Sequence, residues 1–447
     1  MTQQDSITKQ LEQVTDRVSK VLELAKHLGA DGAEVAMSRT QGLSVGTRLG
    51  EVENVEFTSD GALGITVYQQ GRKGSASTAD LSENALQQTV QAAINIAKYT
   101  SVDDCSGLAD KKILEMNPKD LDLYHPKALT TEQAIDLAKI CENEALAFDK
   151  RITNSDGATL ASFEGFKIYG NSHGQLVSYP SSRHSLSCVA IASEGEEMQR
   201  DYAYSVNRDF DMLDDAASIG RQASKEVLSR LNAQKLATAK VPVMFRADIA
   251  NTIFGHLIAA ISGGNLYRKS SFLMDALGTQ IFPEFLTIEE RPHLKKALAS
   301  SAFDSEGVIT QDRNIITAGA LDTYLLTSYS ARKLGLTTTG HAGGIHNWLV
   351  SSNGGDFEAM LNKLGTGLLV TELMGQGVNV LTGDYSRGAA GFWVEKGKIA
   401  YPVSEITISG KLQHIFKGLV AVGSDVDMRG SIRTGSVIIE EMQVAGN

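Results

Sequence analysis

From Glu34 to Ser77 the chain runs through five short stretches rich in β-branched and alternating residues, at 34–39, 43–49, 52–58, 62–69 and 74–77. Ahead of them Ile7, Leu11, Val14, Val18, Val21, Leu22 and Ala25 recur at helical spacing, and Gly29 stands ready as the stop. Behind them, residues 82–99 read as a second helix. The stretches are separated by Gln41-Gly42, Gly50-Glu51, Asp60-Gly61 and Gly71-Arg72, pairs suited to tight turns between antiparallel strands. Strands in a block, bracketed by helices, argue against the alternating crossovers of a parallel sheet. They predict an α+β fold built on antiparallel meanders.

The order then recurs. Residues 131–148 read as a helix, 151–206 as strands with turns at Asp156-Gly157, Asn171–Gly174 and Glu194-Gly195, and 213–231 as a helix. Even Ser59-Asp60-Gly61-Ala62 returns as Ser155-Asp156-Gly157-Ala158, although such turn chemistry is weak proof of duplication beside the order of elements. Candidate repeat units are 1–100 and 131–231, joined by a long connector with Pro118 and Pro126. A polar, Ala/Lys-rich stretch at 232–240 precedes the strand Val241–Phe245, and strands dominate the remainder: 391–394, 398–403, 405–409, 419–422 and 436–441. At 447 residues the chain exceeds what one core organises, so two domains are expected, 1–235 and a strand-rich 236–447.

The charge balance narrows the partners. With 53 acidic and 42 basic residues the net charge is −11, which repels phosphate backbones and anionic lipid. No nucleic acid and no membrane is expected as a partner. Residues 1–16 are polar and carry no apolar run of the kind a signal peptide or anchor needs. Cys105, Cys141 and Cys188 are scattered without CxxC spacing, a pattern that fits reduced thiols and a cytoplasmic location.

Several blocks carry a resemblance: EVENVEFTSDGALGITVY from Glu51, FDSEGV from Phe303, SARKLGLTTTGHAGG from Ser330, TELMGQG from Thr371 and TGDYSRGAAGFWVEKGKIAYPVSEITISG from Thr382. Together they resemble the TldD/PmbA family, and most closely its PmbA branch, also called TldE. The family has also been labelled a modulator of DNA gyrase, a role in which the acidic charge makes direct DNA binding an unattractive explanation. In the TldD branch a helix carries a His-Glu-x-x-x-His zinc motif. Anchored on Gly264–Lys269, the resemblance places Gly255 at the first histidine, His256 at the glutamate and Ala260 at the second histidine. A third family ligand, a cysteine near the C-terminus, has no counterpart in Ala421–Asp427.

Gly and Ala offer no lone pair to a metal, so the helix loses its zinc, and the expectation is no metal and no cofactor in this chain. Ile249, Ile253, Leu257 and Ala260 follow a helical core stripe with His256 at its edge, which favours a packed histidine. The resemblance then implies a zinc-less subunit of a metallopeptidase. It would pair as a heterodimer with a TldD-like subunit that holds the zinc, and would process short or unfolded peptides such as microcin leader peptides or labile antitoxins. In isolation the chain could form a homodimer. The rivals are an independent hydrolase with a histidine metal site outside the family motif, and a non-proteolytic binding or regulatory protein.

The other motifs are weaker. His341 and His346 lie in a Gly-rich loop that could fold both imidazoles inward, and with His256 they make a three-histidine alternative that no spacing rule supports. Gly42-Leu43-Ser44-Val45-Gly46 matches GxSxG but lies within strands, where a nucleophile elbow requires a strand-to-helix turn. Asp425–Gly430 begins like a calcium loop, yet Arg429 stands at a ligand position. The Gly-rich segment Gly375, Gly377, Gly383, Asp384, Tyr385, Ser386 and Arg387 is read as tight turns or, from the resemblance, as a wall of the substrate channel where an extended peptide pairs with exposed backbone.

Overall fold

In the computed structural model, which describes residues 3–446, the first half comprises α1 (Gln3–His27), β1 (Gly32–Arg48), β2 (Glu51–Gln69), β3 (Arg72–Thr78), α2 (Glu83–Tyr99), α3 (Thr131–Ala147), β4 (Ile152–Asn171), β5 (Leu176–Glu194), β6 (Glu197–Asn207) and α4 (Ala216–Ser229). The strands form one antiparallel sheet in the order β3-β2-β1-β4-β5-β6, so the two meanders share a sheet through the β1–β4 pair. One core lies under α1 and α2, with Val14, Val18, Val90 and Ile94 against Val35, Ile65 and Val67. A second lies under α3 and α4, where Ala138, Cys141, Ala223 and Val227 meet Val45, Leu160 and Leu186.

The strands are fewer and longer than the turn-like pairs predict. Gln41-Gly42 and Asp60-Gly61 are not turns: β1 and β2 run through them for 17 and 19 residues, with Gly42 opposite Thr58 and Gly61 opposite Arg39. Gly42 serves a close approach instead, since a Cβ there would meet the Ser162 carbonyl oxygen at 2.2 Å. Asp156-Gly157 is likewise a bulge inside β4 rather than a hairpin. The chain does turn within one residue of the other predicted pairs, at Leu49-Gly50, Gln70-Gly71 and Gly195-Glu196.

The second half comprises β7 (Ala239–Phe245), α5 (Ala247–Ile261), α6 (Gly263–Tyr267), β8 (Ile288–Glu290), β9 (Arg313–Thr317), β10 (Ala320–Leu321), α7 (Ser328–Leu334), β11 (Trp348–Val350), α8 (Phe357–Leu364), β12 (Gly367–Met374), β13 (Val378–Asn379), β14 (Asp384–Glu395), β15 (Lys398–Lys411), α9 (Leu412–Lys417), β16 (Leu419–Val422), β17 (Ile432–Arg433) and β18 (Val437–Ala445). Strands β12-β7-β18-β15-β14 close on themselves through β12–β14 pairing and make a β-barrel, which leaves those strands no free edge. Closure depends on Gly391, where a Cβ would lie 1.9 Å from the Leu369 carbonyl oxygen. Alternation divides the barrel residues between two cores. Val243, Phe245, Leu368, Val370, Val437 and Ile439 pack with α5, while Met244, Leu369 and Ile438 pack with Met360, Leu361 and Leu364 of α8. A smaller mixed sheet, β10-β9-β8-β11-β17, adjoins the first of these cores.

Polar contacts tie the halves together. Gln175 donates to the carbonyls of Glu115 and Gly307 at 2.7 and 2.8 Å, and Arg208 donates to those of Ala297 and Leu298. Arg332 donates to the carbonyls of Cys105, Gly107 and Leu108 in the connector. Among the described residues no helix is long and apolar enough to cross a membrane.

Candidate metal centre and adjoining cavities

Strand β8 is three residues long, and its alternation buries Ile288 and Glu290 while Glu289 faces away. Pairing sets Glu290 opposite Trp348 of β11 and Arg313 of β9. Between α7 and β11 the chain leaves its helix at Gly335, in the left-handed region at φ 67°, and returns through a loop that carries His341 and His346 over the end of β8. The result is a cluster of Glu290, His341 and His346, all buried, whose ligand atoms lie within 4.8 Å of one another.

Glu290 Oε2 is 2.9 Å from His341 Nε2, and Oε1 is 3.6 Å from His346 Nδ1 while accepting the His346 backbone N–H at 2.9 Å. Burial pushes the Glu290 carboxyl up, but the hydrogen bonds from the two histidines outweigh it and hold the group at about 2. Burial also pushes the His341 imidazole below its ordinary range, against the pull of Glu290. On its other side His341 Nδ1 meets Thr339 Oγ1 at 2.8 Å. A hydroxyl both donates and accepts, so Thr339 can support either tautomer, including the one that frees the Nε2 lone pair. Arg313 Nε stands 3.7 Å from Glu290 Oε2 without a hydrogen-bond partner.

The donor set fits a divalent metal. Two histidines and a glutamate are the ligands of several zinc peptidases, and their donor atoms here lie within 4.8 Å of one another, against about 3.3 Å between ligand pairs around a tetrahedral zinc. The cluster also has an outlet. His346 lines a cavity of about 400 Å³ between the two halves, bounded by Asp304, Ser305, Gly343, Tyr169 and Lys167. Asp304 accepts backbone N–H groups from Ala342, Glu306 and Val308, and burial raises its carboxyl to about 6.

These observations correct the expectation of a chain without metal ligands of its own. The family-motif helix does lack them: a Cβ at Gly255 would meet nothing within 4 Å, Ala260 is fully buried, and His256 Nε2 has no partner. The ligands come from elsewhere, and the glutamate among them is absent from the sequence-based candidates. The three-histidine alternative is corrected as well, because Glu290 rather than His256 completes the group with His341 and His346. No local spacing announces Glu290, which joins the histidines only through β8–β11 pairing.

His256 lies on α5 with its ring edge-on to Tyr385, centroids 5.6 Å apart. Tyr385 and Arg387 share a face of β14, and Arg387 Nε donates to the Gly375 carbonyl at 3.1 Å. Ser386 N–H donates to the Gly377 carbonyl, Asp384 pairs with Lys411 at 2.6 Å, and a Cβ at Gly383 would press on Gln413. Of the Gly-rich segment, Arg387 lines a cavity of about 810 Å³, shared with Thr252 of α5, Leu373 of β12 and Tyr202 of β6. Ser44 of the GxSxG match sits within β1, and Asp427 of the calcium-like stretch pairs with Arg429 at 2.9 Å.

Comparison with known proteins agrees with the architecture. Models of the PmbA/TldA metallopeptidase match residues 33–97 as domain 1, 124–231 as the central domain and 238–446 as the C-terminal domain. The chain is 58% identical to metalloprotease PmbA of Escherichia coli O157:H7, over 96% of each, and 55% identical to a PmbA homologue of Haemophilus influenzae, over 98% of this chain and 97% of the relative. A TldD homologue of H. influenzae matches at 22% over 93% of this chain and 90% of its own. A crystal structure from Bacteroides thetaiotaomicron, described as a putative modulator of DNA gyrase, superposes with a TM-score of 0.92 at 30% identity, covering 97% of this chain and 98% of that one.

Proposed function

The chain belongs to the PmbA/TldD metallopeptidase family, on its PmbA branch, and from that premise we propose that it is a metal-dependent peptide hydrolase whose metal is held by Glu290, His341 and His346. The observation that carries this reading is the buried two-histidine, one-glutamate cluster beside a cavity. When bound, a divalent metal supplies Lewis acidity and lowers the pKa of a water.

The protein's own groups do the rest. Glu290, ionised at all working pH values, provides the anionic ligand, and Thr339 orients His341. Asp304, which lines the same cavity as His346, is poised near neutrality to take a proton from an attacking water. Burial of the cluster limits competing water. Short or unfolded peptides are the proposed substrates, and the proposed location is the cytoplasm, in keeping with three cysteines that remain unpaired. Residues 236–447 are taken as the metallopeptidase unit and 1–235 as the unit that walls its approach. A TldD-like chain is the proposed heterodimeric partner, supported by family membership.

Elemental analysis of the purified chain, with a peptidase assay before and after chelation, tests the proposal. About one metal per chain, lost together with hydrolysis in His341→Ala and His346→Ala, is the expected result. Full peptidase activity in metal-free protein, or no metal uptake on titration with zinc, overturns it.

A further inference from the structure

The cavity shared by α5, β6, β12 and β14 is crowded with charge, and almost all of it is spoken for. Arg200 pairs with Asp156, Arg230 with Asp201 and Glu372, Arg246 with Glu226 and Asp248, and Arg429 with Asp427. Arg387 lines the same cavity and, among the described residues, has no carboxylate within ion-pair distance; its hydrogen bond is the one from Nε to the Gly375 carbonyl. Its remaining guanidinium N–H groups are therefore available.

Two more polar groups beside it are unpaired. Tyr385, two residues earlier on the same strand face, is 1% exposed and its hydroxyl has no hydrogen-bond partner. His256, edge-on to that ring, has a buried Nε2 that is also without one. Thr252, one helical turn before His256, lines the cavity together with Arg387. Buried polar groups are nearly always satisfied, so a phenol and an imidazole orphaned side by side call for a missing partner. Tyr385 and His256 do not line that cavity themselves, so a ligand reaches them past Arg387, which does.

We propose that Arg387, Tyr385 and His256 form a receptor for a carboxylate, filled by the C-terminal carboxylate of a bound peptide. The donor inventory selects the ligand. Guanidinium N–H, phenol O–H and the Nε2–H tautomer of a neutral imidazole all donate, whereas a carboxylate only accepts and takes about four hydrogen bonds on two oxygens. Burial, reinforced by the Arg387 charge, keeps the imidazole neutral by pushing it down to about 4. The Arg387 charge disfavours a cation there. The assignment rests on the peptidase reading only in naming the carboxylate as a peptide's.

Fluorescence anisotropy of the full-length protein tests the receptor, with a fluorescein-labelled alanine-rich hexapeptide bearing either a free C-terminal carboxylate or a C-terminal carboxamide. EDTA is present throughout to stop turnover. The acid is expected to bind at least about tenfold more tightly than the amide. Arg387→Gln and Tyr385→Phe should each remove most of that preference by lowering acid affinity far more than amide affinity, and Arg387→Lys should restore part of it. Tyr385→Phe deletes an unpaired hydroxyl and keeps the packed ring, so it should fold with an unchanged or higher Tm. Equal affinity for acid and amide in the wild type, absence of binding, or a preference that survives Arg387→Gln or Tyr385→Phe overturns the proposal. Because the readout is binding without metal or turnover, its failure leaves the Glu290 centre untouched, and failure of metal analysis leaves the receptor untouched.

Discussion

Two polar clusters in the second half of the molecule differ in how their atoms are satisfied. Around Glu290, His341 and His346 the groups answer one another, and Thr339 completes the set from behind. Around His256, Tyr385 and Arg387 the hydroxyl and the imidazole nitrogen have no partner, and the guanidinium lacks a carboxylate. The first cluster gathers lone pairs and a negative charge, which suits a cation. The second gathers N–H and O–H donors with a positive charge, which suits an anion. Residue types alone mislead here, since the helix aligned with a metal-binding motif contributes His256 to the cluster that suits an anion, and a strand and loop outside the motif hold the one that suits a cation.

The largest effect that can break this contrast is Glu290→Gln. It should abolish stoichiometric metal binding and lower peptide hydrolysis by at least about 10²-fold, measured by elemental analysis and steady-state kinetics. It also leaves Arg313 beside a neutral side chain in a buried setting, so stability should fall by about 3 kcal/mol in urea unfolding. Retained metal and activity would remove the cation assignment.

Asp304 gives a pH signature with two opposite signs. Its carboxyl is raised to about 6 in the folded protein, so it favours folding below the unfolded value near 4, and that contribution is lost as pH rises through 6, at a cost on the order of 3 kcal/mol. Activity should move the other way, with kcat/KM rising through about pH 6 as the base deprotonates. Asp304→Asn should flatten both profiles. An unchanged activity profile in that variant would exclude Asp304 as the proton acceptor.

Smaller changes sharpen the comparison. Arg313 places a positive charge 3.7 Å from Glu290, which opposes a bound cation, so Arg313→Gln should tighten zinc binding by about tenfold in a competition titration. Weaker binding would show instead that Arg313 holds Glu290 in place. At the other cluster, Tyr385→Phe should change stability by no more than about 1 kcal/mol, and in the stabilising direction, because it removes a buried hydroxyl that nothing satisfies. A large loss in thermal unfolding would mean that the hydroxyl has a partner inside the fold.

Much of the local structure is legible from pattern. The helical spacing of Val14, Val18 and Val21 does place them in one core, and the blocks from Phe303, Ser330 and Thr382 carry the family correctly. The strand count is not legible at Gln41-Gly42 and Asp60-Gly61. Turn-like letters there serve close backbone approach and continuous pairing within long strands, which a single strand's residues do not reveal.

Legible along the chain is its class: an α+β fold of antiparallel strands, the PmbA branch of a metallopeptidase family, and a helical stripe through Ile249, Ile253, Leu257 and Ala260 without metal ligands at Gly255 and Ala260. Periodicity and family blocks are local properties, so they survive reading along the chain. The place for a metal, by contrast, depends on contacts made only in the folded chain. Glu290 precedes His341 by 51 positions, and the group exists because β8 pairs with β11 and a Gly-rich loop folds back over the strand end. Folding also brings Tyr385 and His256, on a strand and a helix far apart in the chain, into ring contact, each with an unpartnered polar atom. Convergence of side chains depends on strand register and packing, which involve contacts between distant segments and leave no spacing to read.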